Sequence, residues 1–324
     1  MLADVATIES RRPCRVGFVG SGRIAREHAK AFRDIPGVYL VGVASRTATN
    51  ARTFAEEFGI PIVSANVKDL YHSAAPDLVV VTVNEVAIAE ITHQCIEYPW
   101  TILIEKPPGL DLIEADGIEQ HARSAGRKVY VGMNRWSYSV TQQVHQDLCQ
   151  RDGIRFVHVQ DQEDPIAAAR AGKPERSVAH WMFANSIHLI DYFRIFTRGD
   201  PAQVQILQPW QRDRPCVVLA QIEFSSGDLG LYQAVWNGPG PWAVSVTVPG
   251  ERWELRPLEQ GVYQRLGDKP VSLEVHPWDH LFKPGFRYQA EQAVRAVLRE
   301  DSKLPMIHDL LPTMRLIQAI YCPD

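Results

Sequence analysis

Val16-Gly17-Phe18-Val19-Gly20-Ser21-Gly22-Arg23-Ile24-Ala25 reads as a buried strand, a glycine turn and the first turn of a helix. Such a turn binds phosphate. Gly20 lets the chain bend sharply out of the strand, Gly22 has no side chain to hold the backbone off a pyrophosphate, and Ala25 is small enough for the helix to pack on the strand. The helix N-terminus then directs unpaired N–H groups at an anion. Taken alone, the pattern also fits an ordinary strand-to-helix loop. Its surroundings favour the phosphate site: Ile24, His28, Ala31 and Phe32 fall on one helical face, and Val38 to Ala44 is the apolar second strand of a βαβ unit.

Working outward, the βα alternation continues. Thr47 stands where a helix cap belongs, ahead of an apolar stripe of Ala51, Phe54, Ala55 and Phe58 that closes at Gly59. Strands are expected at Pro61 to Val63, Asp77 to Val83, Thr101 to Ile104 and Lys128 to Val131, with helices between them. The pattern predicts an α/β fold: a Rossmann-like, six-strand, doubly wound parallel sheet over residues 1–132. In such sheets ligands bind beyond the carboxyl ends of the strands, which brings Gly20, Ser45, Asn84 and Glu105-Lys106 to one crevice. After Gly132 the pattern changes. Val217 to Phe224, Gly230 to Trp236, Ala243 to Val248 and Arg252 to Arg256 read as strands joined by short turns, with helices at Val140 to Cys149, Phe183 to Phe196 and from Gly285 onward. Residues 133–324 are therefore expected to form an α+β domain with an open, largely antiparallel sheet. The stretch Asp161 to Ala179, with Arg170, Lys173 and Arg176, reads as a loop.

The chain has 324 residues, 45% hydrophobic and 22% charged, with a formal net charge of -4. It is long enough for two cores and has no basic excess to suggest nucleic acid. The five cysteines, Cys14, Cys95, Cys149, Cys216 and Cys322, lack C-x-x-C spacing, which argues against a disulfide framework or a zinc site and for a cytoplasmic location. His276 and His280 flank Trp278 but have no third ligand in spacing, so no metal is expected. Residues 1 to 12 carry no apolar period and are expected to form a loose arm. Arg11-Arg12 resembles an export signal, but the apolar residues after it belong to the first strand. No apolar run reaches the length of a membrane span.

Beyond the glycine turn stand Glu105-Lys106-Pro107 at the end of the fifth strand, Asn134-Arg135 after the sixth, His188-Leu-Ile-Asp191 on a helix, and Phe282-Lys-Pro-Gly285. With these, the chain resembles the glucose-fructose oxidoreductase, inositol dehydrogenase and rhizopine-catabolism (Gfo/Idh/MocA) family. The resemblance implies an NAD(P)-dependent oxidoreductase acting on a secondary alcohol or ketone of a sugar, cyclitol or sugar derivative. It assigns catalysis to Lys106 and His188, implies a cis bond between Lys106 and Pro107, and points to homodimers or homotetramers formed through the open sheet. The chemistry fits those residue types: a lysine ammonium binds a hydroxyl and stabilises the developing alkoxide, and an imidazole accepts the hydroxyl proton. Cofactor contacts are expected from Gly20, Gly22, Arg23, Ile24, Ser45, Arg46, Asn84, Glu105 and Lys106, and substrate contacts from Arg135 and Asn185. Where many family members carry an acid four residues before the histidine, this chain has Ala184. Proton transfer then falls to His188 itself, with Lys106 acting electrostatically and Asn185 orienting a hydroxyl. At the end of the second strand, Ser45-Arg46 replaces the usual acidic residue, which favours NADP over NAD because a carboxylate repels a 2'-phosphate. Ala184 also motivates an alternative, a catalytically impaired cofactor-binding sensor of the same fold.

Overall fold

The computed structural model describes residues 12–214 and 216–322. Apart from Arg12, the arm expected at residues 1 to 12 lies outside them. In chain order the elements begin β1 (Cys14–Val19), α1 (Arg23–Arg33), β2 (Val38–Ala44), α2 (Ala48–Phe58), β3 (Ile62–Ser64), α3 (Val67–Ala74), β4 (Leu78–Val81), α4 (Ile88–Ile96), β5 (Thr101–Glu105), α5 (Leu112–Ser124) and β6 (Val129–Gly132). There follow α6 (Ser139–Leu148), β7 (Phe156–Glu163), α7 (Pro165–Arg170), α8 (Glu175–Ala179), a π-helical turn at Met182–Ser186, α9 (Ile187–Phe196) and β8 (Pro201–Gln208). The chain continues through β9 (Val217–Phe224), β10 (Leu229–Trp236), β11 (Ala243–Val248), β12 (Glu251–Leu255), β13 (Val262–Arg265), β14 (Val271–Ser272), α10 (Pro277–Leu281), α11 (Phe286–Val297) and α12 (Ile307–Tyr321).

Two compact units result. The first comprises the residues up to Gly109, Ile113–Asn134 and Leu281–Ile307. Its six strands are parallel in the order β3-β2-β1-β4-β5-β6, the expected doubly wound order. Every residue of β4 and β6 is buried, as a sheet covered on both faces requires. Gly59 ends α2 in the left-handed conformation at φ 68°, where a side chain would be strained, whereas Thr47 makes no side-chain cap bond to α2. The sequence division at 132/133 needs correction, because Leu281–Ile307 returns to this unit. The reason is apolar: α11 buries Phe286, Ala290, Ala293 and Val294 in the same core as Ala25, Ala29 and Phe32 of α1. Burying a phenylalanine side chain alone contributes roughly 1.5–3 kcal/mol.

Among the described residues, the second unit comprises Leu110–Leu112, Arg135–His280 and the residues from His308 onward. Its eight-stranded sheet runs β14-β13-β12-β11-β7-β10-β9-β8, antiparallel throughout except where β7 lies parallel to β10. Helix α9 packs on β7 and β11. The core face carries Val157, Val159, Ala220, Ile222, Tyr232, Ala234, Val244 and Val246, all buried. The opposite face mixes half-buried Leu219, Leu231, Gln233 and Val235 with exposed Phe156, Val217 and Leu229. The sequence missed β7 and β8. Residues Asp161 to Glu163, expected in a loop, are the last three of β7, and α7 and α8 follow where the loop was drawn.

Candidate functional site

In the first unit a cavity of about 410 Å³ opens at the carboxyl ends of β1, β2 and β4. Gly20, Gly22, Ser45, Arg46 and Asn84 all line it; of the residues expected to converge on one crevice, Gly20, Ser45 and Asn84 are on its wall. The two glycines serve different ends. Gly20 has φ +105°, and a Cβ there would stand 2.8 Å from the carbonyl carbon and oxygen of Thr82, so glycine is required by the close approach of β1's end to that residue. Gly22 is the N-cap of α1, in extended conformation; a Cβ there would meet nothing within 4 Å and would project into open space. No side chain caps α1 and no acidic residue stands in its first turn, so its N-terminal amides are left for an anion. Ser21 Oγ donates to Ser45 Oγ at 3.1 Å, tying the turn to the end of β2. Thr47, Asn50, Asn66 and Gln94 also line the cavity, and as single polar residues on helix ends they gave no motif to read. These residues fit a dinucleotide: an empty cradle at Gly22, uncapped helix amides, and neutral or basic groups around them.

Arg23, Ile24, Glu105 and Lys106 are not among the cavity's lining residues. Arg23 is exposed on the first turn of α1, and Ile24 packs against the hydrophobic core. Glu105 Oε1 lies 2.7 Å from Nε2 of the fully buried His28, whose ring also packs on Phe286 at 4.7 Å. Burial opposes ionisation of Glu105, but the His28 hydrogen bond and the charges of Lys106 and Lys283 prevail and hold its carboxyl below the usual range. His28, a single histidine on an apolar helical face, had seemed structural in the sequence; the structure joins it to the acid beside Lys106. The Lys106-Pro107 bond is cis.

The second unit gathers the other predicted residues. His188 is 4% exposed on the first turn of α9, and its Nε2 lies 3.3 Å from Nη1 of Arg135. A guanidinium can only donate, so this contact requires a lone pair on Nε2 and puts the proton of the neutral ring on Nδ1. Arg135 also stands over the Trp242 ring at 5.2 Å, and Trp242 is 6.1 Å from the His188 ring, centroid to centroid. Trp242 is anchored by its Nε1, which donates to Gln162 O at 2.9 Å. Ala184 and Asn185 lie in the π-helical turn that feeds α9. Sequence reasoning missed Glu163, which is fully buried and accepts hydrogen bonds from Asn185 Nδ2 at 2.8 Å, Ser186 Oγ at 2.8 Å and Trp181 Nε1 at 2.5 Å. Among the described residues no group of three or more His, Cys, Asp or Glu could hold a metal ion, and no helix is long and apolar enough to cross a membrane.

Comparison with known proteins places these features. Residues 14–133 match the model of an oxidoreductase family with an NAD-binding Rossmann fold. Glucose-6-phosphate 3-dehydrogenase of Bacillus subtilis is 32% identical over 120 residues, 37% of this chain and 33% of that protein. Myo-inositol 2-dehydrogenase of Thermotoga maritima is 24% identical over 121 residues, 37% of this chain and 36% of that protein. The matched part thus spans about a third of the length of these two relatives. Among solved structures, KijD10, a 3-ketoreductase from Actinomadura kijaniata in complex with NADP and TDP-benzene, superposes with a TM-score of 0.75 at 19% identity, covering 95% of this chain and 97% of that one. At that identity the likeness shows the fold.

Proposed function

We propose, from the match of residues 14–133 to the Gfo/Idh/MocA oxidoreductase family model, that the chain is an NAD(P)-dependent oxidoreductase of a secondary alcohol or ketone on a sugar, cyclitol or sugar derivative. The observation that carries the cofactor half of this reading is Gly22, held at an uncapped helix N-terminus with open space where a side chain would stand. The backbone amides there would hold the pyrophosphate. Ser45 and Arg46 on the cavity wall favour NADP, since neither repels a 2'-phosphate and arginine can pair with it. The related 3-ketoreductase binds NADP. A nicotinamide bound in this crevice supplies the hydride acceptor or donor. The sugar-type substrate is supported by the names of the two curated relatives.

The chain's own groups then divide the remaining work. Lys106 is assigned to the substrate hydroxyl, where an ammonium stabilises negative charge as the O–H bond breaks. His188 is assigned to the proton, accepted at Nε2, the atom that now faces Arg135. With Arg135 Nη1 donating to it, Nε2 presents a lone pair, and a substrate hydroxyl would take the guanidinium's place there. Asn185 orients a further hydroxyl. The open face of the second unit's sheet, with exposed Phe156, Val217 and Leu229, is the surface we assign to self-association.

A regulatory protein that holds cofactor without turnover is the second reading, favoured by Ala184. The deciding experiment loads the protein with NADPH and follows the nicotinamide absorbance in a single turnover against a panel of keto sugars and keto cyclitols. A stoichiometric loss of absorbance supports the enzyme. No change with any panel member, cofactor being bound, supports the sensor.

A further inference from the structure

The core face of β7 ends on two acids, Asp161 and Glu163, two residues apart and 1% and 0% exposed. Hydrogen bonds to them come from two sides. Trp236 Nε1 donates to Tyr321 Oη at 3.3 Å, the Tyr321 and Tyr232 hydroxyls are 2.7 Å apart, and Tyr232 Oη donates to Asp161 Oδ2 at 2.7 Å. Since Tyr232 gives its proton to Asp161, it must accept that of Tyr321, so the whole chain of donors runs toward the acid. From the other side Trp181, Asn185 and Ser186 donate to Glu163. All six of these groups are neutral. Asp161 Oδ1, also buried, receives no bond from any of them. Burial and mutual repulsion favour a proton on the pair: burial pushes Asp161 up to about 6, and burial with the neighbouring Asp161 charge raises Glu163 well above the usual carboxylate range.

Two of the groups donating to Glu163, Asn185 and Ser186, lie in the π-helical turn immediately before α9, and Trp181 is the turn's N-cap. Glu163 Oε2 accepts from both Trp181 Nε1 and Asn185 Nδ2, so the Asn185 carboxamide presents its NH₂ end to the acid. Its Oδ1 is turned away from Glu163, free of the flip that would otherwise present either end. We propose that Glu163 is a positioning residue for the substrate side of the reaction: from the end of β7 it clamps the turn ahead of His188 and holds the Asn185 carboxamide with its oxygen outward, as an acceptor for a substrate hydroxyl. The proposal rests on the assignment of Asn185 to substrate made above. It gives the buried acid a role that Ala184 leaves open, since a carboxylate absent from the turn is supplied beneath it as an orienting group and touches no substrate.

The test has an arm that needs no substrate. In the wild-type protein the Asn185 side-chain amide, identified in ¹⁵N spectra by its loss in Asn185→Asp, should exchange slowly with solvent, and Glu163→Ala should return it to the shift and exchange of a free amide. Glu163→Gln, which keeps one acceptor oxygen for Asn185 and Trp181, should preserve the wild-type signal. The kinetic arm uses myo-inositol and glucose 6-phosphate as probes at saturating NADP. Glu163→Ala should raise KM about tenfold, the scale of a lost hydrogen bond in a dry site, with kcat within about threefold. Glu163→Gln should restore KM, and NADP affinity should be unchanged in both. Adding Asn185→Ala to Glu163→Ala should cost nothing further, because the two residues act as one unit. An Asn185 amide that exchanges freely in the wild type overturns the proposal even if Glu163→Ala does not fold, and so do fully additive kinetic effects. A wild type inactive on both probes bears on the enzyme reading alone and leaves the amide spectra to decide.

Discussion

Gly20 and Gly22 stand two residues apart in one turn, yet replacing them by alanine should separate folding from binding. At Gly20 the new methyl would have to sit 2.8 Å from the Thr82 backbone at φ +105°. The left-handed conformation costs about 1–2 kcal/mol for a residue with a Cβ, and forcing a methyl into packed space costs about 1–3 kcal/mol more. Together these give about 2–5 kcal/mol, a fall in Tm on the order of 10 °C. At Gly22 the backbone is at φ -80° and the methyl meets nothing within 4 Å, so the Tm of the free protein should move by no more than a degree or two. The methyl occupies the space through which a pyrophosphate approaches the helix amides, and a tenfold loss of affinity is about 1.4 kcal/mol. NADPH at a hundredfold excess over its Kd stabilises a protein by about 2.7 kcal/mol, so the ligand-induced Tm shift of Gly22→Ala should fall to about half or less of the wild-type shift. Scanning fluorimetry with and without NADPH reads both effects. A Gly22→Ala protein with the full ligand shift, or a Gly20→Ala protein as stable as the parent, would refute the reasoning.

His188→Ala should lower kcat by roughly 10²-fold or more, the scale of a general base, with NADP affinity little changed; a kcat within about threefold of the parent makes the histidine structural. Lys106→Ala should weaken both kcat and KM for the same probe substrates in steady-state assays. Asp161, raised by burial to about 6, has its folded value above the unfolded value of about 3.9, so it stabilises fully at pH below the unfolded value and loses that contribution as pH rises through about 6. Asp161→Asn should therefore gain Tm relative to wild type as pH rises between about 4 and 6. A Tm difference independent of pH in that window would remove the account of a proton held on this buried pair. Glu105 has the opposite sign: held below the usual carboxylate range by His28 and two lysines, it stabilises at neutral pH and loses that contribution in acid, a slope that Glu105→Gln should flatten in the same scans.

The first unit was legible because each of its signals is local. A glycine turn, a helix stripe and an apolar strand all read from neighbours in the sequence, and a sheet covered on both faces writes β4 as an unbroken run, Leu78–Val81. The second unit hid its central strand for a physical reason. Along β7 the core positions are Val157, Val159, Asp161 and Glu163, so the alternation that marks a strand reverses its chemistry halfway, and two carboxylates face inward where apolar residues should be. The functional acid was therefore invisible for the same reason the strand was. Residues 281–307 were assigned to the wrong unit because an amphipathic helix shows which of its faces is buried but not which sheet covers it. The π-helical turn before His188 has no sequence signature, and reading Phe183 to Phe196 as one regular helix placed Asn185 without its partner. His28 looked like core because it is core, and only its contact with Glu105 links it to the site.

The central claim, that a nicotinamide dinucleotide binds on the glycine turn of the first unit, is tested most directly by equilibrium titration of the wild-type protein with NADPH and with NADH, read by quenching of tryptophan fluorescence. The account predicts saturable binding, tighter for NADPH, with the preference reduced about tenfold in Arg46→Ala through loss of a charge-assisted phosphate contact. Failure of either cofactor to bind at millimolar concentration would contradict it.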